Sequence, residues 1–164
     1  MLELVLLRHA KTESDSRSGE DFDRALTDVG RSDAPLVVEA LVQHGVSPEI
    51  ALVSTATRAQ QTWQLIAPAL PDCAATFDPE LYLSAPETIA EAVDLSGRDR
   101  VIVVAHNPGL HELACQLTRG GSDMEMAVQR KFPTGAAAVF RRPDRNSRWR
   151  LEAFLKPKDL RAAD

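Results

Sequence analysis

Three short polar segments in this sequence carry side chains suited to phosphoryl chemistry, and each one follows an apolar run. The side chains in question are Arg8 with His9, Arg58, and His106 with Asn107. The guanidinium of an arginine matches phosphoryl oxygens in a two-pronged geometry. A neutral imidazole can attack phosphorus, and a second imidazole can donate to charge that develops on the transferred group. Together these residue types indicate a phosphoryl-transfer site, provided that the fold brings them together.

The apolar runs before these segments have the character of buried strands. Residues 4–7 and 101–104 are short and uninterrupted, which is typical of strands covered on both faces, and residues 50–53 form a similar run. Helical segments separate the strands, so we predict a three-layer α/β/α fold with a mostly parallel sheet. In such sheets, ligands gather beyond the carboxyl ends of the strands, where the three polar segments lie.

The remaining elements follow from turn and capping signals. Thr27 is a candidate N-cap for a helix that Gly45 ends. We expect further helices at residues 57–70, 86–93 and 108–118, a weak strand at 75–77, and surface loops at 13–23 and 119–131. A hairpin of residues 136–140 and 149–154, joined by a Pro, Asp and Asn-containing turn, makes the predicted sheet mixed.

Size and composition narrow the classes of protein to which this chain can belong. The 164 residues fit one domain, residues 1–164, and 44% apolar with 26% charged residues is ordinary for a globular protein. The net charge of -5 argues against nucleic acid as a partner. No apolar stretch approaches the roughly 20 residues of a membrane span, and no signal segment is evident. Cys73 and Cys115 lack metal-ligand spacing or a disulfide framework, so we expect a cytoplasmic protein without a membrane partner.

Each of these residues has an ordinary explanation when it is taken alone. A histidine after a strand is usually a loop residue, and Arg58 by itself is most simply a surface charge. His106 and His111 are five residues apart, which places them off one helical face and argues against a metal pair. Gly120 and Gly121 have no flanking phosphate-loop pattern. The prediction of a site therefore depends on the shared position of the three segments.

Beyond these single residues, a series of motifs resembles the histidine phosphatase superfamily. The sequence LRHAKT at residues 7–12 resembles the Arg-His-Gly-x-Thr signature of that family, with Ala10 in place of the usual glycine. The resemblance continues in family order to residue 118, through Leu26, Thr27 and Gly30, then Ser54, Arg58, Ala59, Gln61 and Thr62, and then His106.

A finer resemblance is to the small SixA-type phosphohistidine phosphatases. It is carried by RHAK at residues 8–11, RAQQTW at 58–63, HNPGL at 106–110 and FPT at 132–134. The chain also lacks the long insertions of the phosphoglycerate mutase branch. The resemblance implies a phosphoglycerate mutase-like fold.

The family also implies roles for particular residues. His9 is expected to attack phosphorus and hold it as a phosphohistidine, while Arg8 and Arg58 clamp its oxygens and His106 completes the pocket. Thr12 and Asn107 complete the residues expected to bind the substrate, and neither metal nor cofactor is expected. Larger members use a glutamate between the second arginine and the second histidine as general acid. Glu80 is the nearest candidate, and Glu87 is a poorer one.

Three functions remain open from the sequence. The first is a phosphatase acting on phosphohistidine in a protein partner. The second, in the same fold, hydrolyses a small phosphate ester or sugar phosphate. The third is a non-catalytic phosphate-binding or interaction module, which would need the arginines but has no evident use for both imidazoles.

Overall fold

Strands and helices alternate along the chain in the computed structural model, which describes residues 1–162. The last two residues of the predicted domain, 163 and 164, lie outside the described residues. The strands are β1 (Leu2–Arg8), β2 (Ile50–Ser54), β3 (Ala74–Asp78), β4 (Arg100–Ala105), β5 (Ala137–Arg142) and β6 (Arg150–Leu155). The helices are α1 (Asp28–Gln43), α2 (Thr57–Ile66), α3 (Pro86–Leu95), α4 (Gly109–Leu117), α5 (Asp123–Arg130) and α6 (Pro157–Ala162).

The strands form one mixed sheet in the order β3-β2-β4-β1-β5-β6. The first four strands of that order are mutually parallel, β5 runs antiparallel to β1, and β6 runs antiparallel to β5. The carboxyl ends of β1, β2 and β4 therefore meet at one edge of the sheet, together with the amino end of β5. This arrangement confirms the predicted mostly parallel sheet and the closing hairpin.

Helices cover both faces of the sheet, which gives the three layers. Along β1, Val5 and Leu7 face one apolar cluster, whereas Leu4 and Leu6 face the other, as the two-residue period of a strand requires. The first cluster includes side chains of α1, α2 and α6, and the second includes side chains of α3, α4 and α5. Burial on both faces explains why β1 and β4 are apolar without alternation.

Local signals account for some of the helix boundaries. The Thr27 side chain accepts a hydrogen bond from the backbone N–H of Gly30 and so caps α1. The predicted helix 57–70 is shorter in the structure, because α2 ends at Ile66 and continues as a single 3-10 turn at Ala67–Ala69. Pro68 lies in that turn and has no N–H with which to extend an α-helix.

The segment 119–131 corrects a prediction, since it contains helix α5 rather than a continuous loop. Ser122 and Glu125 form a capping box at its start. Val128 is the one buried residue of the helix. Met124, Ala127 and Val128 follow the helical period, but a helix of eight residues shows this pattern only once, which is too weak a signal to identify it.

Two glycines permit close approaches that shape the site. A Cβ atom on Gly30 would lie 2.2 Å from the carbonyl oxygen of Lys11, and one on Gly109 would lie 1.9 Å from that of Ser84. Neither position has room for a side chain, so the start of α1 packs on the segment after β1, and the start of α4 packs on the segment before α3. Within residues 1–162, no helix combines the length and apolar character needed to cross a membrane.

Candidate active site

The strand ends place two histidines side by side. His9 follows β1 and His106 follows β4, and these strands are neighbours in the sheet. Their ring centroids lie 5.2 Å apart, close to the usual spacing of adjacent strands. On the other side of β4, the last residue of β2 is Ser54, whose Oγ lies 2.7 Å from Nε2 of His106. The predicted convergence of the two imidazoles is therefore present in the structure.

The His9 ring is held in one tautomer. Its Nδ1 lies 2.8 Å from the carbonyl oxygen of Ala10. A carbonyl oxygen only accepts, so Nδ1 carries the proton and Nε2 carries the lone pair of the neutral ring. Burial, together with the positive charges of neighbouring arginines, lowers the pKa of His9 to about 3. The ring is therefore neutral near pH 7, with a nucleophilic Nε2.

His106 is in a similar electrostatic state. Its side chain is 2% exposed, and burial followed by the charge of Arg58 lowers its pKa to about 3. The ring of Tyr82 packs edge-on against it with centroids 5.4 Å apart. Two neutral imidazoles thus lie among positively charged guanidinium groups, an arrangement that would suit an anionic ligand.

Arg8 is anchored by the main chain. Its Nη1 donates to the carbonyl oxygen of Phe132 at 3.1 Å, and Asn107 Nδ2 donates to the same oxygen at 2.9 Å. Burial and the nearby charge of Arg58 lower the pKa of Arg8 from its ordinary value. The two side chains are therefore fixed at the edge of the pocket by one carbonyl group.

Arg58 is anchored by the polar loop before α1. The Arg58 residue is 2% exposed, and its guanidinium donates to the Asp21 carbonyl oxygen at 2.8 Å and to Asp21 Oδ2 at 3.0 Å. The hydroxyl of Tyr82 donates to the same carboxylate. Hydrogen bonds from Tyr82 and Arg58 lower the pKa of Asp21 to about 2, so the carboxylate is ionised near neutral pH.

Several buried polar atoms of these residues have no hydrogen-bond partner in residues 1–162. Four of the five such side-chain atoms belong to the four residues discussed above: Arg8 Nε, Arg58 Nε, His106 Nδ1 and Asn107 Oδ1. Buried polar atoms are nearly always hydrogen-bonded in folded proteins. Their concentration at one strand edge therefore indicates a site built to bind a polar ligand.

Two residues of the RAQQTW motif in α2, Gln61 and Thr62, support this edge of the sheet through hydrogen bonds. The Thr62 hydroxyl donates to the carbonyl oxygen of Arg58 at 2.7 Å and accepts from the backbone N–H of Ala10 at 3.0 Å. Gln61 Oε1 accepts from the backbone N–H of Leu26 at 2.8 Å. Thr62 thus connects the segment that carries His9 to the helix that carries Arg58. This connection is a structural role for the threonine of the motif.

The remaining predicted site residues lie in different surroundings. Thr12 pairs with Leu26 in an isolated bridge, and within residues 1–162 no hydrogen bond links its side chain to the histidines or arginines. Glu80 is exposed in a 3-10 turn, where its backbone N–H donates to Asp78 Oδ1. Its carboxylate makes no hydrogen bond or ion pair within the described range, and Glu87 is also exposed. The role of Glu80 as an acid stays a prediction.

Sequence reasoning missed Asp21 and Tyr82 as parts of the site. Asp21 is 37 residues from Arg58 in the chain, and it lies in an acidic loop with several equivalent carboxylates. Tyr82 follows Glu80 by two positions and is the single tyrosine of the sequence, which is the one signal that could have marked it. Among the described residues, no group of three or more His, Cys, Asp or Glu side chains is placed to hold a metal ion.

Known proteins resemble this chain in sequence. The profile of the histidine phosphatase superfamily, branch 1, matches residues 4–82. A protein of Mycobacterium tuberculosis strain H37Rv is 34% identical over 140 residues, which cover 82% of this chain and 86% of that protein. Sequence similarity to this protein therefore extends well beyond the residues matched by the profile.

Solved structures extend the comparison to the whole fold. A protein of Agrobacterium tumefaciens assigned as the phosphohistidine phosphatase SixA aligns with a TM-score of 0.82 and 30% identity, covering 95% of this chain and 98% of that one. The protein histidine phosphatase SixA complexed with tungstate aligns with a TM-score of 0.78 and 25% identity over 97% and 99% of the two chains. With its motifs in family order and its fold shared along nearly the full length, this chain belongs to the histidine phosphatase superfamily.

Proposed function

We propose that this chain is a phosphatase that forms a phosphohistidine on His9 and acts on phosphohistidine in a protein partner. Membership of the histidine phosphatase superfamily supports phosphatase function. The observation that carries the proposal is the state of His9, whose neutral ring keeps its proton on Nδ1 and its lone pair on Nε2. An imidazole in this state is ready to attack phosphorus.

In the first step, the lone pair of His9 Nε2 forms a bond to phosphorus as the bond from phosphorus to the leaving group breaks. Negative charge spreads over the three equatorial oxygens in such a transfer. We expect Arg8 and Arg58 to stabilise it, since each has a buried Nε without a hydrogen-bond partner in residues 1–162. When Ser54 donates its hydroxyl proton to His106 Nε2, the His106 proton is on Nδ1 and can be donated to the same oxygens.

In the second step, water attacks phosphorus and the bond to His9 Nε2 breaks. The water oxygen remains with the phosphoryl group as inorganic phosphate, one proton is released from the attacking water, and His9 returns to its neutral state. Asn107 Oδ1 is buried and lacks a protein partner in the described range, so it can accept a hydrogen bond from a water or a substrate hydroxyl. We expect the arginines to supply the positive charge that a metal ion supplies in other phosphatases.

The carboxylates near the pocket favour phosphohistidine as the substrate. In residues 1–162, Asp21 is the carboxylate hydrogen-bonded to pocket side chains, and its pKa of about 2 makes it a poor proton donor near pH 7. An alkoxide leaving group needs a strong positioned acid. The imidazole of phosphohistidine, once its other ring nitrogen has taken a proton from solvent, leaves as a neutral ring whose conjugate acid has a pKa of about 6.5. The SixA-type neighbours support the same substrate class.

A competition assay tests the substrate. A protein phosphorylated on histidine, a generic aryl phosphate and a panel of phosphorylated metabolites are each supplied, and kcat/KM is compared. We expect the phosphohistidine protein to be preferred and the aryl phosphate to be turned over more slowly. Preference for one metabolite would support the small phosphate ester alternative, and turnover of none would support a non-catalytic module.

The intermediate and the absence of a metal requirement have their own tests. Rapid quenching with a labelled substrate under alkaline conditions should trap a base-stable, acid-labile phosphoenzyme on His9. Activity should survive exhaustive chelation, and tungstate should inhibit as a phosphoryl mimic. Loss of activity in chelator with recovery on adding Mg²⁺ or Mn²⁺ would overturn the mechanism.

A further inference from the structure

All four lysines of the chain line one groove: Lys11, Lys131, Lys156 and Lys158. Arg130 and Arg161 line it as well, so six cationic side chains face two carboxylates, those of Asp33 and Asp159. The groove has a volume of about 510 Å³. We call it the lysine groove. Such a concentration of positive charge contrasts with a net charge of -5 for the whole chain.

The lysine groove opens at the same sheet edge as the pocket of His9 and His106. Lys11 follows β1 by three residues, Thr134 precedes β5, and Lys156 directly follows β6. Because β1, β5 and β6 are consecutive in the sheet, the groove extends away from β1 on the side opposite β4 and His106. β6 lies two strand spacings from β1, about 10 Å.

Most of this charge is not neutralised within the protein. Lys156 Nζ pairs with Asp159 at 3.4 Å, and Arg161 pairs with Asp33 at 2.7 Å. The other four cations, Lys11, Arg130, Lys131 and Lys158, are exposed and form no ion pair with any carboxylate in residues 1–162. They are therefore available to an acidic partner that spans the groove.

We propose that the lysine groove binds an acidic protein surface next to the phosphorylated side chain that enters the pocket. This inference rests on the proposed phosphohistidine phosphatase function and specifies its partner. The spacing from β1 to β6, about 10 Å, favours an extended partner over a small phosphate ester that lies close to His9. Cations contributed by three separate segments also suit an extended acidic surface better than one compact anion.

A peptide experiment tests the groove separately from catalysis. Two fluorescent peptides carry one histidine each, flanked by Asp and Glu in the first and by Asn and Gln in the second. Binding is measured by anisotropy without phosphorylation, and turnover is measured after chemical phosphorylation of the histidine. The groove variant is Lys131→Glu with Lys158→Glu. The matched control is Arg98→Glu with Arg148→Glu, which changes the same charge at exposed positions near the opposite sheet edge.

At low salt we expect the acidic peptide to bind about tenfold more tightly than the neutral one, a preference that weakens near 0.5 M salt. The groove variant should lose this preference while the control keeps it, and both should hydrolyse an aryl phosphate at the wild-type rate. The double variant Lys131→Gln with Lys158→Gln should lose part of the preference for the acidic peptide. Because it introduces no negative charge, it controls for misfolding caused by charge reversal.

Equal binding of both peptides to the wild type, or an unchanged preference in the groove variant, would overturn the proposal. Tighter binding of a single-stranded oligonucleotide than of the acidic peptide would also overturn it, because the groove would then select polyphosphate. Absence of turnover for both phosphorylated peptides would count against the proposed function alone, since the anisotropy result decides the groove independently.

Discussion

The candidate pocket has two walls that are held in different ways. The strand wall consists of Arg8, His9 and His106. Its side chains are held by carbonyl oxygens and by buried Ser54. The loop wall consists of Asp21, Phe22 and Tyr82, which contact one another or the strand wall through side chains at the protein surface. Arg58 hydrogen-bonds to Asp21 of the loop wall, and its charge lowers the pKa of His106 in the strand wall.

The strand wall is fixed by the buried core, whereas the loop wall lies at the protein surface and is fixed by fewer contacts. Side chains fixed by a buried sheet edge keep their orientation without a ligand, as catalysis requires. The loop is held by the hydrogen bonds of Arg58 and Tyr82 to Asp21 and by two ring contacts, but residues 21–23 bury no side chain. We therefore expect it to open at a lower free-energy cost than the sheet edge. We expect changes in the strand wall to abolish turnover and changes in the loop wall to modulate it.

The largest effect should come from His9→Ala. Removing the nucleophile should lower kcat for an aryl phosphate by roughly 10⁴-fold or more. Circular dichroism and thermal unfolding should show a retained fold. A variant that kept a tenth of the wild-type rate would place the nucleophile elsewhere.

Arg58→Lys should be the next most severe change. Lysine keeps the charge but loses the fork that contacts Asp21, and we expect kcat/KM to fall by about 10²- to 10³-fold. Arg24→Lys is the matched control, because Arg24 pairs with the same carboxylate at 3.0 Å from the outer side. Similar losses in both variants would mean that the effect comes from the loop and not from the pocket.

The pH dependence tests whether the strand wall keeps its imidazoles neutral. With the usual pKa of 6.5, a nucleophilic histidine would be about 97% protonated at pH 5, and kcat/KM would fall about 30-fold. With a pKa of about 3, this loss should be absent once the titration of the substrate itself is taken into account.

The stability of the folded protein should depend on pH for the same reason. The buried rings are neutral in the folded state, whereas histidines of the unfolded chain bind protons below pH 6.5. Above pH 6.5, these two histidines should therefore leave the free energy of unfolding unchanged. As the pH falls from 6.5 towards 3, the free energy of unfolding should decrease. His9→Ala should make this decrease shallower, and an equally steep decrease would contradict the lowered pKa of His9.

Changes in the loop wall should have smaller effects. Asp21→Asn removes the charge that holds Arg58, and Tyr82→Phe removes one hydrogen bond to Asp21. We expect about a tenfold or smaller decrease in kcat for each, from one lost charged hydrogen bond. For Asp21→Asn, KM should also decrease, because Arg58 then has its full positive charge for the substrate. Equal losses in kcat with an unchanged KM would indicate that Asp21 only maintains the fold.

Glu80→Gln should have the smallest effect on good leaving groups. For phosphohistidine and aryl phosphates we expect less than about a threefold change, whereas alkyl phosphates that the enzyme accepts should slow by 10²-fold or more if Glu80 is their acid. Measuring kcat/KM across leaving groups of graded pKa separates these cases. An equal loss on every substrate would indicate that Glu80 binds or positions the substrate.

The strand wall could be predicted from the sequence because its determinants are local. Residues 4–7 and 101–104 identify two buried strands, and the polar residues that follow them must then lie at one edge of a parallel sheet. The pairing order of the strands is not local, yet any order that makes β1 and β4 neighbours brings His9 beside His106.

The loop wall and helix α5 could not be predicted in the same way. Asp21 contacts Arg58 through a loop without hydrophobic period, and no residue near either one specifies the other. Ser122 and Glu125 carry a capping signal, but the adjacent Gly120 and Gly121 are typical of a loop, and the helix is too short for its apolar period to stand out. The lysine groove likewise depends on three segments that only the folded sheet brings together.

The ion pair between Arg58 and Asp21 also has a consequence for product release. Two free guanidinium groups beside neutral imidazoles would hold inorganic phosphate tightly, and product inhibition would then limit turnover. The Asp21 carboxylate already neutralises part of the charge of Arg58 before any ligand enters. Because the carboxylate repels a phosphate dianion at the same guanidinium, it should speed departure of the dianion after hydrolysis. The loop that frames the pocket therefore helps to clear it for the next substrate.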